Sequence, residues 1–222
     1  MMERKNPVLI IAGPSGAGKT VVAKAIVEAD PRFTFLRSTT TRARRGDAHD
    51  DEYLYATEEE FLAAVARGEF VEHMNYGGCL YGTTKAEMNA AYERGKIPLL
   101  VLDLCGVESL YHSDEYSACS VYVYADLDTV EGRLYARYLG DEPTVGGLKS
   151  FTSRKERNVS DFLSLPGYAE YFHAFVLNVD TILDCRDRVM SIFAAFCNGA
   201  ETDTDGNIAT AAALKASAEA KK

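Results

Sequence analysis

Short unbroken apolar runs alternate with longer segments of helical period along most of this chain. The runs VLII (8–11), LLVLDL (99–104), SVYVYA (120–125) and AFVLNV (174–179) lack the polar alternation of a half-exposed strand. They predict strands buried on both faces. Helical spacing is read over KTVVAKAIVEA (19–29), over about 129–138, over a basic segment near 149–163, and over 181–197, whose inner stripe is Val189, Ile192, Phe193 and Phe196. TEEEFLAAVARG (57–68) has both ends marked: Thr57 can cap it, Glu60 completes a capping box, and Gly68 stands where a C-terminal glycine belongs. TKAEMNAAYERG (84–95) repeats that grammar with Thr84, Glu87 and Gly95. Strands alternating with helices predict a parallel sheet covered on both sides, a three-layer α/β fold. After Gly199 the chain turns polar and Ala-rich without an aromatic residue, so 199–222 is expected to be a mobile, partly helical tail beyond a single unit of 1–198.

Composition narrows the class. The 222 residues suit one domain, and 47% hydrophobic content supplies a core. A net charge of −9 argues against a nucleic-acid surface, because a polyanion needs clustered Lys and Arg. The five cysteines are scattered with no C-x-x-C pair, and the four histidines are isolated, so free thiols in a reducing cytoplasm are expected, without a zinc site. The opening MMERKNPVLIIAGPSG holds an apolar run of only four residues, too short for a signal peptide, and no segment suits a membrane span. The expected location is therefore cytoplasmic, with neither nucleic acid nor membrane as partner.

Candidate chemistry begins at GPSGAGKT, comprising Gly13, Pro14, Ser15, Gly16, Ala17, Gly18, Lys19 and Thr20. The spacing fits G-x-x-x-x-G-K-[ST], set between a predicted strand and a predicted helix. Glycines let the backbone approach phosphate oxygens, successive N–H groups point inward, Lys19 reaches the β- and γ-phosphates, and the Thr20 hydroxyl can bind Mg2+. The helix adds its positive end. An incidental Gly-rich turn is the competing explanation, and the strand–loop–helix context weighs against it.

A second cluster follows in RSTTTRARRGDAHDDEYLY (37–55). Its arginines and hydroxyls form a local basic pool in an acidic chain, suited to a second phosphate, although charge runs are often solvated faces. In order after it come YLY (53–55), FVE (70–72), YGT (81–83) and LDLCG (102–106). With the phosphate loop and STTTRARR-GD, this series resembles the guanylate kinase family from about Pro7 to Cys197.

The resemblance implies that Arg42, Arg45, Tyr53 and Tyr81 hold the phosphate of GMP, while Ser38, Glu72, Thr83 and Asp103 read or bracket its base. Guanine presents N1–H and N2–H2 donors, and a carboxylate such as Glu72 is the complementary acceptor. Arg45 directly precedes Gly46, one residue closer than is usual in the family, so Arg44 could share or take over its role. EGRLYARYLG (131–140) and KSFTSRKERN (149–158) look like the two arms of the family's lid, with Arg137 and Arg154 matching best and Arg133 and Arg157 second. The implied architecture is a core of 1–35, 98–125 and 166–198, an inserted GMP-binding region of 36–97 and a lid of 126–165. The implied reaction is ATP-dependent phosphorylation of GMP and dGMP with Mg2+, catalysed by Lys19, Arg42, Arg45, Arg137 and Arg154 in a monomer or homodimer. Two alternatives stay open: a kinase of another phosphorylated acceptor such as a ribose bisphosphate, and a non-catalytic interaction module of the same fold.

Overall fold

The computed structural model describes residues 5–44, 53–140 and 143–221. Strands β1 (Pro7–Ala12), β2 (Phe33–Phe35), β7 (Ile97–Val101), β8 (Ser117–Tyr124) and β9 (Ala174–Leu177) form an all-parallel sheet in the order β2-β7-β1-β8-β9. β1 is central, and its residues alternate between two cores. Leu9 and Ile11 pack with Val22, Ile26 and Phe33 and with Val189 and Phe193, on the side of α1 (Lys19–Ala29) and α7 (Ile182–Cys197). Val8, Ile10 and Ala12 face the opposite core, with Met88, Leu100, Tyr122, Phe162 and Phe172. Burial on both faces is why these strands read as unbroken apolar runs. On α7, Val189, Phe193 and Phe196 are buried as expected, with Cys185 completing the stripe and Ile192 half-buried.

Between β2 and β7 the chain builds a second sheet from β3 (Ser38–Thr40), β4 (Tyr53–Tyr55), β5 (Phe70–Tyr76) and β6 (Cys79–Thr84), in the order β4-β3-β6-β5. Its helices are α2 (Glu58–Ala66) and α3 (Lys85–Glu93). Thr57 and Glu60 form the expected capping box on α2, and the Thr84 hydroxyl accepts from the Glu87 N–H at the start of α3. Gly82 is forced by packing: a Cβ there would lie 2.6 Å from the Phe70 ring, which stacks on Phe61 of α2 at 4.4 Å.

Two expectations are corrected. The run 99–104 is not wholly strand. β7 ends at Val101, and Asp103 caps a short helix α4 (Leu104–Tyr111), its carboxylate accepting from the Gly106 N–H at 2.9 Å. The cap satisfies a helix-end donor, and local hydrogen bonding of this kind overrides apolar patterning. The segment 199–222, expected as a mobile tail, contains helix α8 (Thr204–Glu219), which packs on α6 (Val145–Ser164) and on a 3-10 segment (Leu165–Tyr171). Asn207, Ala211, Leu214 and Ala218 form its buried stripe, and the Asn207 side chain donates to the Phe172 carbonyl at 2.7 Å. Small residues let the helix approach closely, so little apolar bulk was needed to dock it.

The remaining helix is α5 (Leu127–Tyr138). Helices α5 and α6 pack on each other and both reach the loop that follows the carboxyl end of β1, the usual position for a ligand in an open α/β sheet.

Candidate active site

The phosphate loop leaves the end of β1 and turns into α1. Gly13, Gly16 and Gly18 all have positive φ, at 145°, 88° and 92°. At Gly13 a Cβ would stand 1.9 Å from the Val123 carbonyl oxygen of β8, so the loop lies flush on the sheet and only glycine fits. Three neighbouring side chains then hold the loop. Asn158 of α6 pairs with both backbone groups of Ser15, at 2.7 and 2.8 Å. The Asn178 amide, buried after β9, donates to the Ala17 carbonyl at 2.7 Å. Arg133 of α5 donates to the Gly16 and Asn178 carbonyls at 3.3 and 3.0 Å.

Lys19 folds back over this loop, its Nζ donating to the Gly13 and Pro14 carbonyls at 2.7 and 2.9 Å. Burial pushes its pKa down to about 8, with the Asp161 carboxylate opposing and Arg154 reinforcing the shift. Thr20 follows, half-buried, in the first turn of α1. Lys19 and Ser15 line a cavity of about 170 Å3 with Met74, Asp103, Arg154, Arg157 and Asp161. Across it, Arg157 pairs with Asp161 at 2.8 Å and reaches Asp103 at 3.4 Å. Burial lifts the Asp161 carboxyl above its ordinary range, the Arg157 charge opposing.

The second sheet supplies the opposite wall. Its register pairs Ser38 with Tyr53, Thr40 with Tyr55 and Tyr81, Met74 with Tyr81, and Glu72 with Thr83. Because side chains alternate with period two, all of these fall on one face. Of the residues expected at the acceptor, this face carries Ser38, Tyr53, Glu72, Tyr81 and Thr83; Arg42 follows the end of β3, Asp103 caps α4 beside the other sheet, and Arg45 lies outside the described residues. Arg42 stands beside Tyr53 with its guanidinium 5.0 Å from the ring centre, and donates to the Tyr55 hydroxyl at 3.1 Å. Arg44 is exposed and stacks over the Tyr55 ring at 4.2 Å. Glu72 is buried, and its pKa is pushed up to about 7 by burial, with Thr83 opposing and the Asp103 charge adding to the rise. Gly106 of α4 comes so close that a Cβ would lie 3.4 Å from a Glu72 carboxylate oxygen.

Arg137 and Arg154, on separate helices, meet at one aromatic ring: each guanidinium lies 5.4 Å from the centre of Tyr138. Arg154 also donates to the Ser15 hydroxyl at 3.2 Å. At Gly147 a Cβ would stand 2.2 Å from the Tyr138 carbonyl, so its lack of a side chain serves close packing of α6 on the end of α5.

Sequence reasoning missed Tyr55, Tyr138, Asn158, Asp161 and Asn178. A signal for two of them was present: Arg154, Asn158 and Asp161 recur at helical spacing on a helix otherwise read for its charges.

A glycine-lined phosphate loop, a lysine bent over it, arginines from two further helices and a polar sheet face across the cavity define a P-loop phosphotransferase-type α/β protein. The family profile described as Guanylate kinase matches residues 5–144. The chain belongs to the guanylate kinase family. It is 30% identical over 198 residues to the guanylate kinase of Ruegeria pomeroyi, covering 88% of each chain. It is 29% identical over 203 residues to that of Chlorobium luteolum, covering 90% of this chain and 98% of the relative. The stretch matching the Cereibacter sphaeroides guanylate kinase is 39% identical but spans 54% of that relative. Among solved structures, the guanylate kinase from Anaplasma phagocytophilum superposes with a TM-score of 0.61 over 88% of each chain at 21% identity, a likeness of fold.

Proposed function

We propose that this chain transfers the γ-phosphoryl group of ATP to GMP and dGMP. The observation that carries the reading is the single sheet face on which Tyr53, Tyr81 and buried Glu72 stand, with Arg42 at its end, opposite the cavity of Lys19. Two anion-binding groups and one buried carboxylate suit a phosphate donor and a phosphorylated guanine acceptor.

In this reading the backbone N–H groups of Gly16, Gly18 and Lys19, with the Lys19 ammonium, hold ATP's phosphates, the Ser15 and Ala17 N–H groups being spent on Asn158 and the Pro14 carbonyl. Arg42, Tyr53 and Tyr81 hold the GMP phosphate, with Arg45 or Arg44 as a further contact. Glu72 accepts from guanine N1–H and N2–H2, while Ser38, Thr83 and Asp103 bracket the base. An ionised oxygen of the GMP phosphate attacks the γ-phosphorus as the bond to the β–γ bridging oxygen breaks. GDP and ADP result, and no general base is needed. The protein's work is positioning and charge neutralisation, supplied by Lys19, Arg42, Arg137 and Arg154, with Arg157 at the cavity wall.

The residues present fit Mg2+. The Thr20 hydroxyl and the Asp103 and Asp161 carboxylates are hard oxygen donors near the loop, and no group of three or more His, Cys, Asp or Glu ligands occurs among the described residues. That suits an ion carried mainly by phosphates and water, with Thr20 as its protein contact; when bound it would neutralise phosphate charge. The five free cysteines support a reducing cytoplasm, where the chain would work as a monomer or homodimer. No helix among the described residues is long and apolar enough to cross a membrane.

The test is ADP release from ATP with GMP, dGMP, AMP, CMP, UMP or ribose bisphosphate as acceptor. Turnover with GMP and dGMP and near silence with AMP is expected, since a hydrogen-bonding site rejects the mismatched partner by roughly 10⁴-fold. Equal rates across the nucleotides, or preference for the ribose bisphosphate, would refute the reading.

A further inference from the structure

Helix α6 presents Arg154, Arg157, Asn158 and Asp161 toward the phosphate loop and its cavity. Three of these carry charge. The fourth, Asn158, makes the closest contact with the loop itself. Its Oδ1 accepts from the Ser15 N–H at 2.7 Å, and its Nδ2 donates to the Ser15 carbonyl at 2.8 Å. Both ends of the side-chain amide are thereby spent on one residue of the loop, and Asn158 is 2% exposed. Among side chains of this length only a primary amide both donates and accepts in that way. One turn earlier on the same face, Arg154 reaches the hydroxyl of the same Ser15.

We propose that Asn158 is a positioning residue that clasps Ser15 and so fixes the arginine-bearing helix against the phosphate loop in one register. The inference rests on the phosphotransferase reading. Through the clasp, which spends the Ser15 N–H, the N–H groups of Gly16, Gly18 and Lys19 and the Lys19 ammonium face the same phosphates as Arg154. Helix α6 and the loop then move as one body when ligand binds. Without the clasp, Arg154 keeps its contacts to the Ser15 hydroxyl and to the Tyr138 ring, both of which tolerate displacement of the helix along its axis. A misplacement of about 1 Å at a phosphoryl-transfer site costs on the order of 100-fold in rate.

The experiment uses the full chain with Asn158→Ala and Asn158→Asp, each alone and combined with Arg154→Ala. ADP release gives kcat and both KM values, and equilibrium binding of a non-hydrolysable ATP analogue gives affinity. Asn158→Asp preserves size and the acceptor for the Ser15 N–H but sets an oxygen against the Ser15 carbonyl. Both single variants should lose about 10- to 100-fold in kcat and about tenfold in analogue affinity, with KM for the acceptor within about threefold. In the Arg154→Ala background, Asn158→Ala should cost less than about threefold more in kcat, because the residue through which it acts is gone. A merely structural role would lower the thermal midpoint and multiply its loss with that of Arg154→Ala. Multiplied losses, or wild-type kcat in Asn158→Ala, overturn the proposal. If Asn158→Ala does not fold, Asn158→Asp and Asn158→Ser carry the same comparison. If the wild type transfers phosphate to no acceptor, the proposed function fails instead. The clasp is then judged on analogue affinity, which supports it if reduced in Asn158→Ala and overturns it if unchanged.

Discussion

The base-reading role proposed for Glu72 sets it in conflict with stability. Burial raises its pKa from an ordinary 4.5 to about 7. At 1.36 kcal/mol for each pH unit, ionising it in the ligand-free fold costs about 3 kcal/mol more than in the unfolded chain. The sign follows: the group's full contribution to stability is present below about pH 4.5 and is lost as pH rises through about 7. Glu72→Gln is neutral at every pH and keeps the shape. Relative to wild type it should therefore gain about 2–3 kcal/mol between about pH 4.5 and 7.5, and nothing further beyond. For a chain of this size, with about 2–4 °C per kcal/mol, the difference in Tm should widen by roughly 5–10 °C over that interval. The assay is thermal unfolding of both proteins across the pH range without ligand. A Tm difference that stays flat from about pH 4.5 to 7.5 would refute the reasoning, because a solvated carboxylate gains nothing from neutralisation. The same physics predicts proton release. In the proposed reading GMP adds its N1–H and N2–H2 donors to an ionised Glu72, so near pH 7 its binding should expel about half a proton per site, read by calorimetry in two buffers of different ionisation enthalpy. Glu72→Gln should abolish that release and cost at least about tenfold in kcat/KM for GMP, or about 1.4 kcal/mol.

Lys19→Ala should abolish phosphoryl transfer while circular dichroism shows the fold intact, and turnover within tenfold of wild type would contradict the phosphate grip. Arg42→Ala should lose about 10- to 100-fold in kcat/KM for GMP with ATP affinity nearly unchanged, each charge-assisted pair being worth about 1.5–3 kcal/mol; a loss confined to ATP binding would mean that the acceptor site is misplaced. Affinity for an ATP analogue should fall as pH rises through about 8, where Lys19 loses its proton, and a flat profile between about pH 7.5 and 9.5 would argue against that charge. Leu214→Ala should destabilise the chain by about 2–4 kcal/mol in urea unfolding because α8 is docked, whereas an unattached tail would give no change.

What the sequence disclosed and what it withheld divide along one physical line. Periodicity and cap chemistry are local, and the elements built on them are found close to where they were read. Helix α1 has its expected limits, and the Thr57–Glu60 box is formed. Both faces of β1 are buried, as an unbroken apolar run implies. The elements left unread are those whose reason is tertiary. Strands β3 and β4 are three residues each, and β5 and β6 alternate a polar face with a packed one, so none of the four shows an unbroken apolar run. Helix α8 docks through Ala211 and Ala218, whose contribution is closeness rather than bulk. In the site, Lys19 was legible from its place after the glycines, whereas Glu72 was singled out only through the family resemblance, a carboxylate being the type that suits guanine's donors. Asn158 and Asn178 were not, because an amide that satisfies a distant backbone carries no charge and no spacing rule. Yet buried amides spent on another segment's backbone are costly to leave half-satisfied, and two of them converge on residues 15 and 17 of one loop. The loop spends the Ser15 and Ala17 N–H groups on its own shape, on Asn158 and the Pro14 carbonyl, and side chains from other segments add the rest of the restraint. Three side chains that supply it, Arg133, Asn158 and Asn178, come from α5, α6 and the end of β9, and α6 also lines the cavity through Arg154, Arg157 and Asp161.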